Sequence, residues 1–279
     1  MEKLFDLDGK LSIVTGAASG LGKAIATGLA ECGSDVIIVD RNGEGLLNTE
    51  EELKKFGKEI INFKTDLSSL EDIDKLFEKV DLLKRNIDFL ANVAGEGILG
   101  KPENISIDEF KEVLNNLVIC RFYMCQHSGK RMLRNGKGSI LNIGSLASTT
   151  ALGRGHIAYS IAMGGVSQMT KELSTEWSSR GVRVNTIAPA QVLNDSLKER
   201  MEKDPELGKF FLGGIPAGRL GKPNDIKGIA VLLASDASSW ITGATIPLDG
   251  GNIAMNSGGT CLLYTSPSPR DQRGSGMAG

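Results

Sequence analysis

Short apolar runs rich in Val, Ile and Leu recur along the chain. They alternate with longer stretches in which apolar residues return every three or four positions. The first pattern marks strands buried in a sheet and the second marks amphipathic helices, so the alternation predicts repeated βα units around a parallel sheet. Strands are expected at Leu11–Thr15, Asp35–Val39, Ile60–Lys64, Ile87–Asn92, Ser139–Ile143, Arg183–Ile187 and Ala244–Leu248. Helices are expected at Gly20–Cys32, Leu46–Phe56, Leu70–Leu83, Phe110–Arg134, Ala158–Arg180 and Asp225–Ala234. Right-handed crossovers place these helices on both faces, which gives an α/β class: a Rossmann-like, doubly wound, parallel seven-stranded sheet. Residues 1–256 are expected to form a single domain. The segment Val192–Gly214 breaks the rhythm with charges and no strand, and is expected to be a loop covering the substrate.

The last residues differ in kind. From Cys261 to Gly279 the chain carries Pro267, Pro269, glycines and serines without apolar periodicity, and 257–279 is expected to be a disordered tail. The string from Cys261 to Asp271 resembles a translated sequencing-library adapter and is taken as foreign to the natural protein.

Composition narrows the possible partners. With 41% hydrophobic and 24% charged residues, the 279-residue chain has enough apolar material for a sizeable core. A formal charge of -2 and the absence of a long basic run give no footprint for nucleic acid. No apolar run is long enough to span a bilayer and the start lacks the order of a signal peptide, so no membrane is expected and the location is expected to be cytoplasmic. Cys32, Cys120, Cys125 and Cys261 show neither CxxC spacing nor disulfide density. His127 and His156 lack nearby partners for a ligand set, so no metal is expected.

The first strand-to-helix turn carries the clearest chemistry: Thr15-Gly16-Ala17-Ala18-Ser19-Gly20-Leu21-Gly22. A diphosphate approaching a helix N-terminus needs backbone without Cβ atoms, and Gly16, Gly20 and Gly22 supply it, with Ser19 and Leu21 between them. Asp40 ends the second strand, where a carboxylate accepts hydrogen bonds from ribose hydroxyls and repels a 2′-phosphate. NAD is therefore the expected cofactor. Arg41 is either a cation that softens this preference or a solvated loop charge. Asp66 and Leu67 end the third strand, and Asn92, Ala94 and Gly95 end the fourth. Both pairs of tips lie at the carboxyl edge where ligands of open α/β sheets bind.

These motifs, with Asn116, Ser145, Tyr159 and Asp249-Gly250-Gly251 in the same order, resemble the short-chain dehydrogenase/reductase family from about Leu7 to Asn252. The resemblance implies an oxidoreductase acting on a secondary alcohol or ketone. It also implies that Tyr159 is the general acid/base, that Ser145 is a hydrogen-bond donor to the same substrate oxygen, and that Asn116 holds a water of the proton relay. Pro189 and Val192 would join the cofactor-binding set, which also includes Tyr159. Members acting on sugar acids, such as gluconate 5-dehydrogenase and 2-deoxygluconate 3-dehydrogenase, look most similar. The small-molecule substrate is thus expected to be a sugar acid or polyol. Arg154 and His156 are either groups that meet it or surface residues. The two long helices resemble those that pair subunits in this family, which implies a homo-oligomer, either dimer or tetramer.

One position departs from the family. Its Tyr-x-x-x-Lys motif reads Tyr159-Ser160-Ile161-Ala162-Met163 here. A cation about 4 Å from a phenol at an effective dielectric of ~20 contributes on the order of 4 kcal/mol, about three pKa units. A thioether contributes no charge and donates no hydrogen bond to the cofactor ribose. Lys171 lies two turns further on, too far to substitute. Three accounts stand open: a single-base error or knockout, an inactive homologue that still binds NAD, or another way of activating Tyr159. Val93 and Ala190, where the family often has Asn and Gly, are smaller departures that conserve size.

Overall fold

The computed structural model describes residues 4–255, so the tail expected at 257–279 lies outside the described residues. The described chain groups into two compact units, one of residues 4–189 with Lys222–Leu248, the other of Ala190–Gly221 with residues 249–255.

The first unit holds seven strands: β1 (Leu11–Thr15), β2 (Asp35–Asp40), β3 (Ile60–Lys64), β4 (Phe89–Asn92), β5 (Gly138–Ile143), β6 (Val182–Pro189) and β7 (Thr245–Leu248). All pairs are parallel and the order is β3-β2-β1-β4-β5-β6-β7. The chain winds outward from β1 to β3, then returns to the far side of β1 to start β4. The point where the winding reverses lies between β1 and β4, and their carboxyl tips splay into a crevice there.

Alternate residues of each central strand feed different cores. Val14, Val36 and Ile38 pack on one face with α1 (Gly20–Glu31) and α9 (Lys227–Ala234). Ile13, Ile37 and Val39 pack on the other with α3 (Leu70–Leu82), α5 (Cys120–Asn135) and the C-terminal half of α6 (Ile157–Trp177). Apolar material on both sides of every central strand explains the continuous hydrophobic runs of the sequence.

Three differences from the expected elements have local causes. The helix α2 (Gly43–Leu53) starts earlier than Leu46 because Asn42 Oδ1 accepts from the Gly45 amide at 3.1 Å and caps it. The single helix expected at Phe110–Arg134 is two, α4 (Ile107–Leu114) and α5, joined by a π turn at Asn115–Ile119. A capping box of Ser106 and Glu109 starts α4. The segment Val192–Gly214, expected to be a loop, holds α7 (Asp195–Lys203), capped by Asn194, and α8 (Pro205–Gly213), capped by Asp204 with Pro205 in its first turn. Both helices belong to the second unit, where Leu197, Phe211, Ile215 and Leu220 form their own apolar cluster. Among the described residues no helix is long and apolar enough to cross a membrane.

Polar side chains also cross the buried sheet. Asn92 Nδ2 donates to Asn142 Oδ1 at 3.0 Å, Asn142 Nδ2 donates to Thr170 Oγ1 at 3.0 Å, and Thr170 and Thr186 share a 2.7 Å hydroxyl bond. The chain ties β4, β5, α6 and β6 together with each member satisfied. Replacing Asn142, which is fully buried, by Ala deprives Asn92 and Thr170 of their shared partner. The expected loss is about 2 kcal/mol of unfolding free energy in urea denaturation; an unchanged midpoint would show that the chain of bonds contributes nothing.

Candidate active site

At the turn after β1, Gly16 takes a φ of +66° and Gly20 a φ of +54°, both in the left-handed region. A Cβ on Gly16 would stand 3.0 Å from the Ala94 amide nitrogen, and one on Gly22 would collide with the Gly16 carbonyl. Helix α1 then starts from an extended Ser19 whose side chain makes no capping bond, with no carboxylate in its first turn. Its leading amides therefore face neither a capping side chain nor a first-turn carboxylate, an electrostatic condition that suits a diphosphate.

Two side chains hold this turn. Asp40 Oδ2 accepts from the Ala18 amide at 3.1 Å while its Oδ1 accepts from Asn42 N at 2.9 Å. On the other side, Thr15 Oγ1 accepts from the amides of Val93 (2.8 Å) and Ala94 (3.1 Å) and donates to Ala91 O (3.3 Å), stitching β1 to the tip of β4. Thr15 was part of the motif but not foreseen as a site residue; a hydroxyl at the end of a buried strand was the available signal.

The remaining expected cofactor residues are distributed as follows. Arg41 Nη2 meets both carboxylate oxygens of Glu96, at 2.9 and 3.0 Å, with both side chains exposed. The Ser68 amide and hydroxyl donate to Asp66 and hold its carboxyl below the usual carboxylate range. Leu67, Asn92, Ala94 and Asn116 line a recess between the tips of β1 and β4 together with Thr15 and Arg121. The Asn92 amide points inward to Asn142 and Cys125, so at this position it is the strand tip rather than the side-chain amide that faces the crevice. Gly95, with a φ of +143°, passes tightly against Leu117. Pro189 ends β6, and Val192 lies in the second unit, bridged to Gly221.

The residues expected to do chemistry sit at the same edge of the sheet. Ser145 follows β5, is buried, and its Oγ accepts from the Ala147 amide at 3.2 Å. Ser148, which the motifs did not single out, accepts from the Ser145 amide at 3.3 Å and donates to Met163 O at 3.1 Å, linking the serine turn to α6. Tyr159 lies in the first turn of α6, its ring packed where a Gly97 Cβ would be, 2.7 Å from Cδ2. Asn116 sits in the π turn, while its neighbour Asn115 is committed to Ser68 O at 3.0 Å. The Met163 side chain is buried in an apolar cluster with Val113, Leu117, Ala147, Ala162 and Val166, and brings no charge to the edge. His156 turns its ring back to Gly153 O at 2.7 Å, and Arg154 holds a left-handed φ of +54°.

A family model described as enoyl-(acyl carrier protein) reductase matches residues 16–252. A D-threitol dehydrogenase of Mycolicibacterium smegmatis is 39% identical over 247 residues, covering 88% of this chain and 94% of that protein. A 2-dehydro-3-deoxy-D-gluconate 5-dehydrogenase of Pseudoalteromonas atlantica is 35% identical over 253 residues, covering 90% and 98%. Among solved structures, a Beutenbergia cavernae protein described as an NAD(P)-dependent gluconate 5-dehydrogenase, with NADP bound at low occupancy, superimposes with a TM-score of 0.84. It has 34% identity and covers 90% of this chain and 99% of that one.

The glycine turn yields a direct test. In Gly22→Val the new side chain meets the Gly16 carbonyl and the turn must open. Nicotinamide dinucleotide binding is expected to weaken at least about 100-fold, roughly 2.7 kcal/mol. Calorimetric titration checks this, and wild-type affinity in the variant would remove the turn from the binding site.

Proposed function

Because this chain belongs to the short-chain dehydrogenase/reductase family, we propose that it interconverts a secondary alcohol and a ketone on a polyol or sugar acid with NAD, and does so slowly because of Met163. The observation that carries this is the open start of α1 with Asp40 at the neighbouring strand tip. Gly16, Ser19, Gly20, Leu21 and Gly22 would hold the diphosphate, Asp40 the adenosine ribose, and Ala94, Gly95, Tyr159 and Pro189 the remainder. When bound, the nicotinamide accepts or supplies the hydride.

The chain's own residues do the rest. In the oxidative direction the substrate hydroxyl gives its proton to Tyr159, and Ser145 donates a hydrogen bond to the same oxygen. Asn116 holds a water through which the proton leaves. Asp40 disfavours a 2′-phosphate by repulsion, while Arg41 is drawn to Glu96 rather than left to attract one. Exposed Ile119, Phe122 and Ile161 on α5, its leading turn and α6 support a homo-oligomer built on those helices. The absence of a membrane-spanning helix among the described residues is compatible with the cytoplasmic location expected from the sequence.

Met163 favours a second reading, a homologue that binds NAD without turnover. Turnover assays on a panel of polyols and sugar acids, with and without Met163→Lys, separate the two. The expected result is slow NAD reduction that rises at least about tenfold in the variant, about 1.4 kcal/mol of barrier. Equal rates would refute the impairment, and no turnover in the unmodified chain beside saturable NAD binding would establish the second reading. Asp40→Asn is expected to narrow the preference for NAD over NADP about tenfold, measured as the ratio of dissociation constants; an unmoved ratio would take specificity away from Asp40.

A further inference from the structure

Behind the site lies a charge that the scheme above does not use. Arg121, on α5, is 5% exposed, and its hydrogen bonds go to neutral carbonyls. Nη1 donates to Ile143 O, Nη2 donates to Ala94 O at 3.0 Å, and Nε is buried with no hydrogen-bond partner. Burial pushes the guanidinium down to about 10, which leaves it charged at neutral pH. A buried cation held by carbonyls rather than a carboxylate is expensive, so the two bonds it makes are kept at a cost.

Its position shows what those bonds join. Ala94 begins the short segment Ala94-Gly95-Glu96-Gly97, and Tyr159 packs against Gly97 at the other end of it. Ile143 ends β5, immediately before Gly144 and Ser145. One guanidinium thus bonds the tip of β4 that meets Tyr159 and the tip of β5 that leads into Ser145. Deeper on α5 lies Cys125, whose thiol burial raises to about 12. Near the same segment Glu96 pairs with Arg41, and His156, with its ring 6.1 Å from that of Tyr159, faces Gly153 O.

We propose that Arg121 is a positioning residue for Tyr159 and Ser145. Its guanidinium locks the tips of β4 and β5, and so fixes both the segment that packs against Tyr159 and the turn that carries Ser145. The sequence pattern gave no hint of this, because an arginine within an amphipathic helix reads as a solvated charge.

The test has one arm without cofactor and one that rests on the dehydrogenase reading. In the cofactor-free protein, amide hydrogen exchange reports the two tips: in Arg121→Met the amides of residues 94–97 and 144–148 are expected to exchange at least about tenfold faster, and in Arg121→Lys, which keeps a donor, part of the protection returns. Should Arg121→Met not fold, Arg121→Gln, which cannot bridge both carbonyls, carries the same expectation. With NAD and a polyol, Arg121→Met is expected to lower kcat about tenfold with KM changed less than about threefold. Unchanged exchange at both tips in a folded variant overturns the proposal whatever the activity. Faster exchange in a protein that turns over no substrate supports the positioning role of Arg121 and contradicts the dehydrogenase reading instead.

Discussion

The 3.1 Å bond from the Ala18 amide to Asp40 Oδ2 joins the turn after β1 to the tip of β2. The Thr15 hydroxyl, on the other side, ties the same strand end to the start of the Val93–Ala94 segment. Between these anchors the backbone follows a path that glycine alone adopts without strain at Gly16 and Gly20, and α1 starts with no side-chain cap and no carboxylate in its first turn. The crevice exists because the topology reverses at β1, but it is these bonds that turn a gap between strands into a surface shaped for a phosphorylated ligand. The carboxylate that fixes the turn also stands at the edge of β2, so on the proposed scheme Asp40 is structural and selective at once.

Much of this was legible in the chain because strands buried on both faces announce themselves as unbroken apolar runs, as in Asp35-Val36-Ile37-Ile38-Val39. The glycine turn was legible because its requirement is the absence of side chains, which a sequence records directly. What escaped notice depended on contacts between distant residues. The π turn at Asn115–Ile119 costs no change in residue type, so a helical pattern runs straight through it. The helices α7 and α8 hide in a charged segment whose few apolar residues cluster with Ile215 and Leu220, and their caps, Asn194 and Asp204 before Pro205, were the signals to follow. The pairing of Arg41 with Glu96 and the linkage from Ser145 through Ser148 to α6 join residues whose meeting only the fold decides.

The substitution at 163 changes what the site has to work with. By the family resemblance a lysine there would supply a charge beside Tyr159 and hydrogen bonds to the cofactor ribose, whereas Met163 extends the apolar cluster formed by α4, the π turn and α6. A buried positive charge is still present on α5, on the guanidinium that bridges Ala94 O and Ile143 O. On the proposed scheme, loss of the lysine removes two roles that the resemblance assigns to one side chain, proton chemistry and ribose binding.

The most direct measurement is calorimetric titration of the unmodified chain with NAD and, separately, with NADP. Saturable heat with one equivalent of NAD per chain, and weaker binding of NADP, is the outcome the cradle and Asp40 require. No heat and no thermal shift with either dinucleotide at millimolar concentration would contradict the account at its base.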